Sequence, residues 1–185
     1  HIIKIKKELN IKVKELNLGG GLGIKYTKKD KPPDVPDFLE KITESVKAEC
    51  KKNNLEEPKL IVEPGRSISA TAGVTLYTIG AIKSIPNFKD YIFIDGGMAD
   101  NPRPSMYQAE YTFEIANKAT QKTEKKYTVA GKFCESGDIL GKDIPLPKAE
   151  LEDILISYGT GAYNYSMSSN YNRFCKPAVV IVNKG

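Results

Sequence analysis

The sequence has little arginine and a single histidine. Of its 28 basic residues only three are arginine, namely Arg66, Arg103 and Arg173. Nucleic-acid-binding surfaces usually combine clustered arginines with interleaved aromatic side chains. No such cluster is present, so we interpret the lysine runs and the net charge of +5 as solvated faces. Because arginine offers a rigid fork that suits carboxylates and phosphates, the first two arginines are candidate ligand-binding residues.

Cysteine and long apolar runs are also scarce. The three cysteines stand far apart, at positions 50, 134 and 175, which argues against a disulfide framework and favours a reducing, cytoplasmic location. With one histidine and no CxxC pair, we expect no metal site. No apolar run approaches the ~18 residues of a membrane span and no secretory leader is recognisable, so we expect no membrane partner.

The first part of the chain predicts an α/β arrangement. Its apolar pattern indicates a helix ending at Asn10, a strand at 16–18, a helix from Val35 to Cys50 and a strand at Lys59–Glu63. Alternating helices and strands of this kind are typical of parallel sheets. Since the chain opens inside a helical pattern, we expect it to be a fragment.

After about residue 72 the pattern changes to β-branched and aromatic runs separated by Gly, Pro, Asn and Asp turns. Such runs predict an antiparallel β domain. The predicted strands lie in segments 74–85, 90–97, 110–116, 126–133, 153–159 and 178–182. We therefore expect two domains, with residues 1–72 forming α/β structure and residues 73–185 forming all-β structure.

Two loops after the predicted parallel strands carry anion-binding chemistry. "LNLGGGLGI" places Gly21 in a glycine run where the backbone can approach an anion and direct N–H groups at it. "IVEPGRS" ends a strand at Glu63 and turns through Pro64 and Gly65 to Arg66. In a parallel barrel both loops lie at the C-terminal face, where phosphate sites are common. A tight turn and a surface ion pair are the structural alternatives.

Further candidates lie in the β region. Arg103 stands between two prolines, which restrict its backbone, and Tyr107 follows four residues later. Tyr163 follows a glycine-rich turn, and its phenol can both stack on a ring and form a hydrogen bond. Ordinary packing is the alternative for each of these residues.

The stretch "GKFCESGDIL" places Cys134 directly before Glu135 and near Asp138. Neighbouring carboxylates disfavour a thiolate. We therefore expect a thiol suited to donating a proton rather than to attacking as a nucleophile. A turn that follows a small buried cysteine is the structural alternative.

Together the motifs "LNLGGGLGI", "EPGRS", "DGGMADNPRPSMY", "CESGD" and "GAYNYSMSSNYN" resemble, in order and spacing, those of the diaminopimelate decarboxylases. These are pyridoxal-phosphate enzymes of the alanine-racemase-like fold type. The resemblance implies the end of a (β/α)8 barrel followed by most of an antiparallel β domain. It also implies that the earlier barrel strands are absent, together with the lysine that forms the Schiff base with the cofactor. We therefore expect the isolated chain to be inactive.

The resemblance assigns roles to the candidate residues. It implies pyridoxal 5'-phosphate as the cofactor, with a carboxylate pairing with the pyridine nitrogen and the glycines and an arginine holding the phosphate. The implied cofactor-binding residues are Gly21, Glu63, Pro64, Gly65, Arg66 and Tyr163. The implied substrate-binding residues are Arg66, Arg103, Tyr107, Glu135 and Tyr163. The catalytic residue would be Cys134, which would enter the active site of the other subunit of a homodimer and supply a proton after decarboxylation.

The implied reaction converts meso-2,6-diaminopimelate to L-lysine and CO2, the last step of lysine biosynthesis. Glu135 favours this substrate, because the related ornithine decarboxylases have Asp in that place. Two alternatives stay open from the sequence. One is a related decarboxylase that acts on another basic amino acid or a carboxylated polyamine, and the other is a non-catalytic β module that only dimerises.

Overall fold

The computed structural model describes residues 1–183. The chain divides into two compact units. The first consists of His1–Lys25 and Asp30–Ile68, and the second of Tyr26–Lys29 and the chain from Ser69 onward. The short segment Tyr26–Lys29 therefore packs with the second unit although the residues on either side of it belong to the first.

The first unit contains two helices and a pair of strands. They are α1 (Ile2–Leu9), β1 (Glu15–Asn17), α2 (Val35–Lys52) and β2 (Lys59–Ile61). The two strands pair in parallel, with Leu16 opposite Leu60. The order helix, strand, helix, strand predicted from the sequence is confirmed, as is the end of α1 at Asn10, which adopts a left-handed conformation with a φ of 54°.

The start of α2 follows from local sequence chemistry. Pro36 occupies its first turn, where the missing N–H of proline costs no helical hydrogen bond. Asp37 in the same turn places a negative charge near the positive end of the helix dipole. Near its C-terminus the helix buries Cys50.

The second unit is built on one six-stranded sheet. Its strands are β3 (Val74–Ile85), β4 (Lys89–Ile94), β5 (Phe113–Ile115), β6 (Lys125–Ala130), β7 (Ile139–Leu146) and β8 (Ile154–Tyr158). They lie in the order β5-β8-β3-β4-β6-β7. Short helices α4 (Arg103–Tyr107) and α5 (Asn164–Met167) stand in its connections, whereas α3 (Gly65–Ser69) lies mostly in the first unit, where the chain leaves it.

The expectation of a purely antiparallel sheet is wrong at one pair of strands. β4 and β6 run parallel, with Ile92 opposite Val129, while the other strand pairs of this sheet are antiparallel. Parallel neighbours need a long crossover connection, and residues 95–124 provide it. The sheet is therefore mixed.

The sheet is also nearly closed. The end strands β5 and β7 approach each other, since a Cβ built on Gly141 would lie 3.0 Å from a ring carbon of Phe113. A larger residue at position 141 would force the two strands apart. Closing a sheet on itself covers the exposed edges that would otherwise pair with other chains.

Two local predictions differ from the structure. β7 was not predicted, because Gly141, Asp143 and Pro145 interrupt its apolar alternation, and the proline is tolerated because this strand lies at the end of the sheet. The run 178–182 was predicted as a strand, yet its residues form none, and Val179 to Val182 are exposed. An apolar run without a neighbouring strand has no ladder to join.

The core of the second unit lies inside the curved sheet. Its largest fully buried side chains include Ile79, Ile92, Ile115, Leu146 and Leu155. These residues come from five different strands, so the hydrophobic effect draws all of those strands onto one centre. This packed body provides the rigid support for the connecting loops.

A buried ion pair fixes the connection before β8. Lys118 Nζ donates to Asp153 Oδ2 at 2.8 Å, to Glu150 Oε2 at 2.8 Å and to the carbonyl of Lys148 at 3.0 Å. Asn117 Nδ2 donates to the other carboxylate oxygen of Asp153 at 2.7 Å. Because buried charges are stable only when they are paired and hydrogen-bonded, this network holds the 150–153 turn in a single conformation.

Candidate functional site

The two loops of the first unit come together at the carboxyl ends of β1 and β2. The backbone N–H of Glu63 donates to the carbonyl of Gly19 at 2.8 Å, which joins the two loops directly. Asn17 Nδ2 donates to Glu63 Oε1 at 2.6 Å, and Asn17 Oδ1 accepts from the backbone N–H of Gly19 at 2.8 Å. The side chain of Asn17 therefore orients both the carboxylate and the glycine run.

The glycines of these loops have different physical roles. A Cβ on Gly20 would collide with the carbonyl oxygen of Glu63, so this residue must be glycine for the loops to pack. Gly21 has a φ of 94°, which side chains rarely tolerate. Among the described residues, no heavy atom lies within 4 Å of a Cβ built on Gly21 or on Gly65. There is therefore space beside the α-carbons of both residues for a ligand to approach the chain, as an anion-binding loop requires.

The predicted residues Pro64 and Arg66 lie in the same group. The backbone N–H of Gly65 donates to the carbonyl of Glu63 at 2.9 Å, and Ser67 Oγ donates to the carbonyl of Pro64 at 2.9 Å. These bonds turn the chain sharply after β2 and start α3 at Gly65. Glu63, Pro64, Gly65 and Arg66 are therefore brought together with Gly21 by the pairing of the two strands.

In the second unit, Arg103 is the centre of a cluster of tyrosines. Only 7% of its surface is exposed. Its Nη1 donates to Tyr111 Oη at 2.8 Å and to Tyr26 Oη at 3.0 Å. Its guanidinium carbon lies 5.2 Å from the ring centroid of Tyr26, 5.9 Å from that of Tyr111 and 5.7 Å from that of Tyr163. Arg103, Tyr26, Tyr111 and Tyr163 form what we call the tyrosine cage.

The electrostatics of the cage favour a charged arginine and neutral phenols. Burial disfavours the charged guanidinium, but Tyr111 and Tyr26 more than offset this effect and raise the pKa of Arg103. Burial also raises the pKa of Tyr111 above its ordinary value. Tyr111 therefore keeps its proton, which Oη donates to Asn164 Oδ1 at 3.4 Å.

The two predicted tyrosines have different surroundings. Tyr163 precedes α5 with a φ of 70°, and its side chain is 42% exposed. A left-handed tyrosine stores backbone strain of the kind that often accompanies binding sites. Tyr107 ends α4, one turn after Arg103, and is 61% exposed. The structure thus brings Tyr163 to Arg103 and leaves most of the Tyr107 side chain in solvent.

Cys134 and Glu135 lie at the surface of the loop between β6 and β7. The thiol is exposed, and the backbone N–H of Cys134 donates to Asn172 Oδ1 at 2.9 Å. Glu135 Oε1 accepts from the backbone N–H of Gly137 at 3.3 Å and from Ser136 Oγ at 3.2 Å. The bond from Gly137 and the one from Ser136 hold the pKa of Glu135 below its ordinary value, so this carboxylate is charged at neutral pH.

Asp138 supports this loop from inside. It is 3% exposed and accepts backbone N–H bonds from Met98 at 2.6 Å and from Phe133 at 2.8 Å. Burial raises the pKa of Asp138, although both donors act in the opposite direction. The two hydrogen bonds turn the carboxylate towards the backbone. The bond to Met98 ties the Cys134 loop to the segment that leads into Arg103.

Sequence reasoning missed several members of these groups. Tyr26 and Tyr111 were not singled out, nor were Asn17, Asn164 and Asn172. Tyr111 alternates with the core residues Phe113 and Ile115, a pattern that indicates packing rather than a site. Tyr26 precedes Arg103 by 77 residues, and no local pattern links the two.

The described residues also limit what the site contains. No group of three or more His, Cys, Asp or Glu side chains among them is placed to hold a metal ion. None of the helices within residues 1–183 is long and apolar enough to cross a membrane.

A family model matches most of the chain. Residues 24–161 match the model for the C-terminal sheet domain of pyridoxal-dependent decarboxylases. The matched segment contains the six-stranded sheet, the Cys134 loop and three members of the tyrosine cage, Tyr26, Arg103 and Tyr111, and it ends two residues before Tyr163. It also contains the Glu63–Arg66 turn, which lies in the first unit.

Individual diaminopimelate decarboxylases match the chain over most of its length. The chain is 52% identical over 171 residues to a diaminopimelate decarboxylase from Synechocystis, which covers 92% of this chain and 36% of that protein. It is 48% identical over 172 residues to one from Bacillus subtilis, covering 93% and 39%. The crystal structure of the M. jannaschii diaminopimelate decarboxylase in complex with L-lysine has a TM-score of 0.85 at 39% identity, covering 95% and 39%. The chain spans about two fifths of the length of these relatives.

Proposed function

Because the chain belongs to the pyridoxal-dependent decarboxylases through their C-terminal sheet domain, we propose that it is the C-terminal part of a diaminopimelate decarboxylase. The complete enzyme removes CO2 from meso-2,6-diaminopimelate and releases L-lysine. The observation that carries this proposal is Arg103, a buried cation that meets neutral phenols. A substrate carboxylate would supply the missing counter-charge.

The first unit is the end of the cofactor-binding barrel in this proposal. Residues 1–72 form the last part of a (β/α)8 barrel, and the chain from residue 73 forms the sheet domain. The parallel pairing of β1 and β2 supports this division, and so does the meeting of their two following loops at one end of the pair. In a parallel barrel this end is where ligands bind.

The residues of these loops fit pyridoxal 5'-phosphate. The space beside the α-carbons of Gly21 and Gly65 suits a phosphate, and Arg66 adds a positive charge to the second of these loops. Glu63, held by Asn17 and followed by Pro64, suits a protonated pyridine nitrogen. When bound, the cofactor supplies the electron sink that makes loss of CO2 from an amino acid possible.

The second unit supplies the groups that select the substrate. Arg103 binds the carboxylate at the end of diaminopimelate that does not react, with help from Tyr107. Glu135, which lies next to Cys134 and enters the same active site as that thiol, binds the ammonium group at that end, and its lowered pKa keeps it negative for this purpose. Tyr163 contacts both the cofactor and the substrate. A ligand with a carboxylate and an ammonium group at its far end satisfies both charges.

Cys134 donates the proton that replaces CO2. Its exposure supports presentation of the thiol to a second copy of the chain, and so do the bonds that the backbone N–H groups of Cys134 and Phe133 donate to Asn172 and Asp138, which fix its loop. We propose a homodimer in which each Cys134 completes the active site of the partner. A two-fold axis makes the two shared sites equivalent.

The proposed reaction is tested with a panel of substrates. The complete enzyme with pyridoxal phosphate is expected to convert meso-diaminopimelate to L-lysine with a kcat/KM that exceeds those for L-ornithine, L-arginine and L-lysine by on the order of a hundredfold or more. A site that binds a polar group strongly rejects analogues lacking it. Released CO2 and L-lysine are measured in parallel. Preference for ornithine or arginine would contradict the assignment of the substrate.

The shared site is tested by mixing two inactive variants. One carries Cys134→Ala and the other lacks the lysine that holds the cofactor. Random pairing of equal amounts makes about half of the dimers heterodimers, and each heterodimer has one intact active site and one inactive site. About a quarter of the normal activity should therefore return. Subunit exchange is verified by mass spectrometry of differently tagged chains. Exchange without recovered activity would show that Cys134 acts within its own subunit.

A further inference from the structure

Arg103 has a charge that the described part of the chain does not neutralise. None of the described ion pairs includes Arg103, although 93% of its surface is buried. Burying a cation without an anion is costly, and the tyrosine cage reduces this cost through two hydrogen bonds and the faces of three rings. The cage therefore stabilises the charged form of this buried arginine.

The hydrogen bonds of the cage are concentrated on one nitrogen. Nη1 has two hydrogens, and Tyr26 and Tyr111 accept one each. The two described hydrogen bonds of Arg103 both use Nη1, and neither Nε nor Nη2 is a fully buried atom without a partner, so these two nitrogens are available to a ligand at the small exposed part of the side chain. Together these two nitrogens form the side fork that binds a carboxylate through two parallel bonds.

Both tyrosines are themselves held in place. The rings of Tyr26 and Tyr111 meet edge to face, with centroids 5.2 Å apart at 73°. The carbonyl of Tyr26 accepts from Thr112 Oγ1 at 2.7 Å, next to Tyr111 in the chain. Tyr111 Oη also donates to Asn164, in the helix that follows Tyr163. The two phenol oxygens therefore have fixed positions, and they determine the rotation of the guanidinium plane.

We propose that Tyr26 and Tyr111 are positioning residues that lock Nη1 of Arg103, so that its Nε–Nη2 edge is directed at the substrate carboxylate. This inference rests on the proposed function and adds to it two residues that act through Arg103. The phenols do not contact the carboxylate in this arrangement. Without them the guanidinium keeps its charge but loses its fixed orientation.

The test uses Tyr26→Phe and Tyr111→Phe in the complete holoenzyme. Each variant keeps the ring and removes only the hydroxyl, and thermal unfolding verifies the fold. Binding of L-lysine, which carries a carboxylate, and of 1,5-diaminopentane, which lacks it, is measured by calorimetry. We expect each variant to bind L-lysine about tenfold more weakly, since small misplacements of a binding group have effects of this size. The affinity for the diamine should stay unchanged.

Tyr158→Phe is the matched control. Its hydroxyl donates to Glu114 Oε2 at 3.3 Å and has no described contact with Arg103. This variant should bind both ligands as the unmodified enzyme does. The KM for diaminopimelate should rise in the two cage variants, with kcat changed much less, because chemistry at the reacting end does not involve the cage.

A double variant separates positioning from general damage. In an Arg103→Lys background, Tyr26→Phe should add no further loss of L-lysine binding, because the group that it orients is gone. Additive losses, or equal weakening of L-lysine and the diamine, would overturn the inference, as would unchanged L-lysine binding in the Phe variants. If the unmodified enzyme fails to bind L-lysine, the proposed function fails and the inference fails with it.

Discussion

Cys134→Ser in the complete enzyme is expected to lower kcat by about two to four orders of magnitude, the usual contribution of a general acid. The loop that carries Cys134 is fixed by Asn172 and Asp138, so serine takes the same position without rearrangement. A serine hydroxyl releases a proton far less readily than a thiol. The amount of pyridoxal phosphate that copurifies should be unchanged, because the cofactor residues lie elsewhere in the chain.

The chain offers a matched control for this variant. Cys175 is also an exposed free cysteine, and Cys175→Ser should leave kcat unchanged. Comparing the two variants separates proton donation at position 134 from a general effect of removing a surface thiol. A Cys134→Ser enzyme with an unchanged rate and product would assign the proton to another group.

The physical origin of the fold explains which parts could be predicted from the sequence. β3 and β8 were predicted because their apolar and β-branched residues form unbroken runs. β7 has Gly141, Asp143 and Pro145 within eight residues and becomes a strand only because β6 offers it a hydrogen-bonding edge. The run 178–182 has the composition of a strand and no such edge. Pairing partners, which decide both cases, are not visible in a local pattern.

The candidate site divides in the same way. Arg103 was predicted because arginine is rare in this chain and because two prolines flank it. Its hydrogen-bond partner Tyr26 was missed, since it lies in a loop whose place in the second unit depends on tertiary packing. Asp138 was interpreted as part of a turn near the thiol, whereas burial directs it to the amides of Met98 and Phe133. Sequence identifies reactive groups better than it identifies the groups that hold them.

Arg103→Lys should reduce kcat/KM for meso-diaminopimelate by roughly ten- to a hundredfold, which corresponds to the ~1.5–3 kcal/mol of a lost charge-assisted hydrogen bond. Lysine keeps the positive charge, but its single nitrogen cannot bond both tyrosines and also offer a planar fork to a carboxylate. The hydroxyls of Tyr26 and Tyr111 would then compete with the substrate carboxylate for the ammonium group of the new lysine side chain.

Arg173→Lys provides the comparison for this variant, because Arg173 is exposed and stands outside the tyrosine cage. It should leave kcat/KM unchanged. In Arg103→Lys the loss should be greatest for ligands with a carboxylate at the far end and smallest for 1,5-diaminopentane, which has none to place in the fork. An Arg103→Lys enzyme that retains the full kcat/KM would show that charge alone is sufficient at this position. The bidentate geometry, and with it the orientation imposed by Tyr26 and Tyr111, would then have no part in selecting the substrate.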